Sequence, residues 1–119
     1  MARGILTGIR IIDLTQALAG PYCTQLLADF GAEVVKIERP GSGDQSRGWG
    51  PPFIKDESAY FLGTNRNKRS LAIDLSKNEA RPILQRLLKG SDILIHNVPK
   101  HSSRVRLGID AESCMRINP

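Results

Sequence analysis

The sequence predicts an α/β fold: a doubly wound, Rossmann-like parallel sheet with helices on both faces. Three observations carry this expectation. Short runs rich in Ile, Val and Leu occupy 9–14, 33–37, 70–75 and 92–95. All but the third are nearly continuous in apolar character, as strands buried on both faces are. Helical patterns lie between them, so that strand, helix, strand recurs along the chain.

The elements follow in order. Residues 9–14 form the first strand. Residues 21–30 read as a helix, with Pro21 in the first turn and Gly31 at the stop. That helix gathers Tyr22, Cys23, Leu26, Leu27 and Phe30 on one stripe, which is expected to face the core, with Cys23 a small packed residue. Residues 33–37 form the second strand. The loop 39–52 holds four Gly, three Pro and two Arg and is too long for a mere connector. Residues 58–64 read as a short helix. In 70–75, Leu71, Ile73 and Leu75 alternate with other residues, which suits a strand nearer a sheet edge.

A helix over 80–89 places Ile83, Leu84, Leu87 and Leu88 on one face, with Gly90 behind it. Ser76 and Glu79 have capping-box spacing. Pro82 opposes so early a start, so the helix begins near Asn78 or kinks at the proline. Residues 92–95 form the fourth strand, and His101 is expected in a polar turn. Asp110 caps a last helix through Ile117. A helix at that point of a parallel sheet should lead to another strand. Residues 1–119 are therefore read as one domain, incomplete, the front part of a larger one.

The 119 residues carry 17 basic and 12 acidic side chains, a formal charge of +5. That excess suits an anionic partner. Only 5% of residues are aromatic, which leaves little surface for stacking bases, so nucleic acid is not expected. The one tight basic cluster is Arg66, Lys68 and Arg69. No apolar run approaches the ~18 residues of a membrane span. The first residues lack the long apolar stretch of a secretory leader. Cys23 and Cys114 have no metal spacing. A reduced, cytoplasmic protein without a membrane partner is expected.

Familiar catalytic signatures are missing: there is no P-loop and no G-x-S-x-G. Gly41 and Gly43 begin like a dinucleotide fingerprint, but Ser46 stands where its third glycine belongs. His96 and His101 lack partners at ligand spacing, so no metal is expected. Asp13, at a strand end, reads as a hydrogen-bonded structural carboxylate. The positive signal lies in the segments taken to follow strands: 15–21, Arg39, 65–69, and His96 with Asn97. In a parallel sheet the carboxyl ends open on one side, where ligands bind. Arg39 and Asn97 are expected to face one crevice.

Several ordered blocks share a resemblance. They are GIRIIDLT at 8–15, Ala19-Gly20-Pro21, LADFGAEVVKIERPG at 27–41, Gly43-Asp44, Asn65-Arg66-Asn67-Lys68-Arg69-Ser70, Ser91-Asp92-Ile93-Leu94, Arg106-Leu107-Gly108 and Ile117-Asn118-Pro119. Together they resemble the N-terminal portion of the family III CoA-transferases, the formyl-CoA transferase and carnitine CoA-transferase family. The resemblance implies an enzyme that moves coenzyme A between an acyl-CoA and a carboxylic acid through an aspartyl intermediate, as an interlocked homodimer. Coenzyme A is then a substrate, and no permanently bound cofactor or metal is implied. The family's aspartate and glycine-rich loop come after the 117–119 block, so no catalytic residue is assigned here, and the chain alone is expected to be inactive.

What carries over is coenzyme binding. The resemblance assigns Leu18 and Ala19 to a contacting loop, and Arg39 to the phosphates. It assigns Asp74, Leu75, Ser76 and Lys77 to the neighbourhood of the adenine. Asn97 and Val98 fall in the turn after the fourth strand, and Arg106 is a further phosphate-side arginine. The chain departs from the family pattern at 96–101, where His96-Asn97-Val98-Pro99-Lys100-His101 replaces Glu-Asn-Phe and Pro-Gly. The alternative is a small basic α/β module that holds a nucleotide or nucleic acid without catalysis.

Overall fold

The computed structural model describes residues 4–119. Its elements are β1 (Arg10–Leu14), α1 (Ala19–Asp29), β2 (Glu33–Glu38), a 3-10 turn (Gln45–Gly48), β3 (Phe53–Ile54), β4 (Glu57–Ser58), α2 (Ala59–Asn65), β5 (Lys68–Ala72), α3 (Ala80–Lys89), β6 (Ile93–His96), α4 (His101–Leu107) and α5 (Ala111–Ile117). The four long strands form one parallel sheet in the order β5-β2-β1-β6. The chain steps outward from β1 to β2 to β5 and then crosses back past β1 to β6. That reversal between β1 and β6 is the topological switch point of a doubly wound sheet. β5 lies at an edge, as its alternation predicts. β3 and β4 make a separate small hairpin.

The register divides the sheet into two unlike faces. Ile12 pairs with Val35 and Leu94, and Ile37 with Leu71. These side chains share one face, and α3 and α5 cover it. Ile12, Ile37, Leu84, Leu88 and Ile109 are buried together there. The opposite face begins apolar, with Ile11, Val34, Ala28 and Ala32 in one cluster. Toward the carboxyl ends it turns ionic, because Asp13 pairs with Lys36 in the strand register. Both are fully enclosed, at 0% and 2% exposure.

Helix boundaries follow local chemistry. α3 starts at Ala80, so Pro82 falls in the first turn, where an N–H would have no intrahelical acceptor. The Ser76–Glu79 capping box does not form. Ser76 bonds to Asp74 instead, and no side chain caps α3. Asp110 does cap α5, accepting from the Ser113 N–H at 3.0 Å. Ser58 likewise caps α2, accepting from Phe61 N at 3.3 Å.

Three expectations are corrected. The apolar stripe of α1 faces the core only at Leu27, which packs on the Ile11 cluster: Tyr22, Leu26 and Phe30 are 49%, 38% and 56% exposed, and Cys23 is exposed. Pro21, Thr24, Gln25 and Ala28 are buried in their place. The sheet face beneath α1 is polar at its carboxyl end, and a threonine and a glutamine can bond there where leucine cannot. Thr24 Oγ1 donates to Asp13 at 2.6 Å, and Gln25 Oε1 accepts from Arg66 N at 3.2 Å. His101 opens helix α4 rather than sitting in a turn, and Gly108 closes that helix in the left-handed region at φ 73°. The third strand runs over Lys68–Ala72, so residues 65–67 precede its amino end and 74–77 follow its carboxyl end.

Candidate functional site

The carboxyl ends of β1, β2 and β5, together with α4, surround a cleft of about 300 Å³. Its floor is apolar, with Leu14, Ile37, Ile73, Leu75, Val98 and Leu107. Arg39, Ser76 and Arg106 stand at its polar margin, along with Asp74, Gln16 and Ser103. Arg39 is there because β2 ends at Glu38 and delivers the next side chain to the sheet's carboxyl edge. Arg106 comes from the last turn of α4. Among the described residues neither guanidinium meets a carboxylate within salt-bridge distance. An apolar floor beneath two unneutralised guanidiniums suits a flat organic group carrying phosphate.

Asp74 holds the turn that forms one wall. Its carboxylate accepts from Ser76 Oγ at 2.6 Å and Ser76 N at 3.0 Å. Those bonds, with the nearby charges of Lys77 and Arg39, hold its carboxyl below the usual value. Lys77 lies just beside this cleft, in a smaller adjoining recess that shares Leu75, Ser76 and Arg106.

Of the ten residues assigned from sequence, Arg39, Asp74, Leu75, Ser76, Val98 and Arg106 line the one cleft. Leu18, Ala19, Lys77 and Asn97 do not. Asn97 is not among the residues that line the cleft with Arg39; its amide is bonded to Gln16, which does line it. Its Nδ2 donates to the Gln16 carbonyl at 2.8 Å, and its Oδ1 accepts from the Gln16 N–H at 3.2 Å. That reciprocal pair closes the switch point. Leu18 and Ala19 are exposed at the start of α1.

The loop leading to Leu18 is held by side chains at almost every backbone polar group. Thr15 N donates to Asp13, and Thr15 O accepts from Lys36 Nζ at 2.8 Å. Gln16 is bound by Asn97, and Ala17 N donates to Asp44 Oδ1 at 3.2 Å. Ala17 has φ 72°. A left-handed conformation costs a non-glycine residue roughly 1–2 kcal/mol. Gly20 brings α1 hard against this loop, since a Cβ there would overlap the Thr15 side chain.

Behind the loop lies the ionic layer. Lys36 and Asp44 meet at 2.8 Å, and Lys68 and Asp13 at 3.0 Å. Glu38 takes two bonds from Arg47, at 2.7 and 2.8 Å, and Arg47 stacks 3.8 Å above the Phe61 ring. Gly43, at φ 63°, is required beside them because a Cβ would come within 2.6 Å of Glu38 Oε2. Burial alone would raise the Glu38 and Asp44 carboxyls. Bonds from Arg47 and the Asp44 N–H to Glu38, and from Lys36 and Ser46 to Asp44, outweigh it and leave both below their usual values. Burial lowers the Lys68 ammonium, and the attraction of Asp13 restores it only in part.

Asp13 is thus the structural carboxylate its sequence setting suggests. The 66–69 cluster is no anion site: Arg66 pairs with Asp29, Arg69 with Glu33 and Lys68 with Asp13. Burial, with the nearby charge of Arg104, pushes the His96 imidazole below its ordinary pKa, and its Nδ1 accepts from Val98 N at 3.3 Å. Sequence reading passed over Lys36 and Asp44. The available signal was a lysine inside a strand otherwise buried on both faces, which demands a buried counter-ion. A larger depression of about 530 Å³ beside β6 and α5 has no lysine or arginine in its lining. Among the described residues no helix is long and apolar enough to cross a membrane, and no group of three potential metal ligands assembles.

Comparison with known proteins places the chain in a family. The family model described as CoA-transferase family III matches residues 6–119. Mouse succinyl-CoA:glutarate CoA-transferase is 48% identical over 106 residues, covering 88% of this chain and 24% of that protein. A formyl-CoA:oxalate CoA-transferase from Bradyrhizobium diazoefficiens is 43% identical over 114 residues, covering 96% and 27%. The crystal structure of a CAIB/BAIF family protein from Brucella suis superposes with a TM-score of 0.92 at 40% identity, over 99% of this chain and 32% of that one. The chain spans about a quarter of the length of these curated relatives.

Proposed function

The chain belongs to CoA-transferase family III, and from that premise we propose that residues 6–119 form the coenzyme A-binding part of an enzyme that transfers coenzyme A between an acyl-CoA and a carboxylic acid. The carrying observation is the cleft in which Arg39 and Arg106, neither within salt-bridge distance of a carboxylate among the described residues, border an apolar floor at the carboxyl ends of three parallel strands. Phosphates would meet the guanidiniums, and the adenine would lie toward Leu75 and Ser76. Val98 belongs to the same lining, and Leu18, Ala19, Lys77 and Asn97 are read as further contacts made outside it.

The covalent step falls to an aspartate outside these residues, which attacks the thioester carbon, expels the coenzyme A thiolate as the C–S bond breaks, and carries the acyl group as a mixed anhydride. The enclosed carboxylates Asp13 and Asp44 suit no such role, since each is below 2% exposure and bound to an ammonium. A nucleophile must reach the thioester carbon. The 119 residues alone should bind coenzyme without turnover. The active species is read as a homodimer acting in the cytoplasm.

Calorimetric titration tests the site. Arg39→Ala in the full chain should weaken coenzyme A binding by about 1.5–3 kcal/mol, the range for hydrogen bonds to charged groups. It should raise KM for the acyl-CoA more than it lowers kcat, because phosphates lie far from the reacting thioester. A change under about 0.5 kcal/mol, ordinary for a surface charge, removes Arg39 from the site.

A further inference from the structure

We infer that the buried Lys36–Asp44 ion pair is a positioning device for the loop 15–18, setting the affinity for coenzyme A without touching it. This rests on the proposed function above. The pair is remote from solvent: the side chains are 2% and 0% exposed, with Nζ and Oδ2 2.8 Å apart. Neither residue lines the cleft.

What they grip is the loop. Lys36 spends a second proton on the Thr15 carbonyl, at 2.8 Å, and Asp44 takes the Ala17 N–H at 3.2 Å. Ala17, the second of these anchors, is held at φ 72°. A left-handed alanine persists only where its surroundings over-determine it, and such residues gather at functional sites. The next two residues are Leu18 and Ala19, which begin α1. Asp44 is itself fixed at the oxygen that holds Ala17 and at its backbone. Ser46 N and Ser46 Oγ donate to Oδ1 at 2.9 and 2.8 Å, and the Asp44 N–H donates to Glu38 Oε2 at 2.9 Å. Glu38 is the last residue of β2 and directly precedes Arg39. One pair therefore connects the loop of Leu18 with the strand end that bears Arg39.

A purely stabilising pair predicts something different. Buried ion pairs can often be exchanged for apolar residues of similar volume with no loss of stability. If stability were the whole role, Lys36→Met combined with Asp44→Leu would leave coenzyme binding intact. If the pair positions the loop, the apolar substitution keeps the fold and loses the two anchors.

The experiment is calorimetric titration of coenzyme A against the full chain, with thermal unfolding run in parallel. The double variant should unfold near the wild-type temperature yet bind at least about tenfold more weakly, the equivalent of one charge-assisted hydrogen bond. Asp44→Asn, which keeps the volume, should weaken binding similarly and serves if the double variant does not fold. Adding Ala17→Gly to Asp44→Asn should recover part of the affinity, because glycine adopts φ near +70° without being forced. A folded double variant, or Asp44→Asn, that binds within twofold of wild type overturns the inference. So does an affinity loss in Asp44→Asn that Ala17→Gly leaves untouched. Wild-type protein that does not bind coenzyme A at all overturns the functional reading, and this inference with it. Wild-type binding with an unaltered double variant overturns this inference alone.

Discussion

The two faces of the sheet solve the same burial problem by opposite means. Under α3 and α5, Ile12, Ile37, Leu84, Leu88 and Ile109 exclude water as an ordinary core. On the other face, near the carboxyl ends, three carboxylates and three cations do so as a matched set: Asp13 with Lys68, Lys36 with Asp44, and Glu38 with Arg47. An apolar contact tolerates small shifts, because dispersion is non-directional. A buried ion pair tolerates little, because a lost partner leaves a charge stranded in a poor solvent. The ionic face lies under the loop that begins α1, where backbone position matters most. The apolar face supplies cohesion, and the ionic face supplies geometry.

The sharpest way to break this contrast is Asp13→Ala, which strands Lys68. It should destabilise the full chain by about 3–5 kcal/mol in urea unfolding, whereas Asp13→Leu with Lys68→Met should lose much less. Equal losses in the single and paired variants would show that the charges themselves hold the fold. Next comes the apolar face. Leu84→Ala should cost about 2–5 kcal/mol through lost burial and a residual cavity. Its loss should be the same at pH 7 and pH 5.

Acid separates the faces without mutation. The folded Glu38 and Asp44 carboxyls sit below their unfolded values. Their contribution is complete above the ordinary carboxylate range, about pH 4, and disappears as pH falls through the lower folded values. Unfolding followed from pH 6 to pH 2 should show stability dropping below about pH 4, and Glu38→Gln should flatten that drop. An equally steep drop in Glu38→Gln would take Glu38 out of the account. The smallest effect is expected at the outer stripe of α1. Leu26→Ser should shift stability by no more than about 0.5 kcal/mol, as at other exposed positions. A loss above about 2 kcal/mol would mean that the stripe is covered in the full chain.

That stripe also marks where sequence reading fails. Tyr22, Cys23, Leu26 and Phe30 have the spacing of a core-facing helix, and the strands and α3 were legible from spacing of the same kind. α3 runs over Ala80–Lys89, as its apolar pattern predicts. The rule works for Leu84, Leu87 and Leu88 of α3 because the sheet face under them is apolar, while Ile83 of the same predicted face is exposed. It fails for α1 because part of its partner surface is Asp13 and Lys68, and Lys68 is separated from Asp13 by 55 positions. Local periodicity reports what a helix offers and not what the sheet beneath it accepts. The cleft was more legible, since Arg39, Asp74 and Arg106 follow from strand ends and from family resemblance. The bond between the Asn97 amide and Gln16, 81 positions away, has no local pattern that announces it. α4 escaped notice because none of its residues is buried, which left no periodic stripe to read.

The Gln16–Asn97 pair has a kinetic consequence. Parallel strands normally part at a switch point, and their last amides exchange with solvent as the loops fray. Here a side-chain amide copies the ladder one step beyond the end of β1, pairing with both backbone groups of Gln16. The Gln16 amide proton should therefore exchange with deuterium as slowly as those inside β1, although the residue itself is exposed. Asn97→Ala should release that one proton and leave the Ile11 and Ile12 protons slow, so the seam between the two halves of the sheet can be timed by a single resonance.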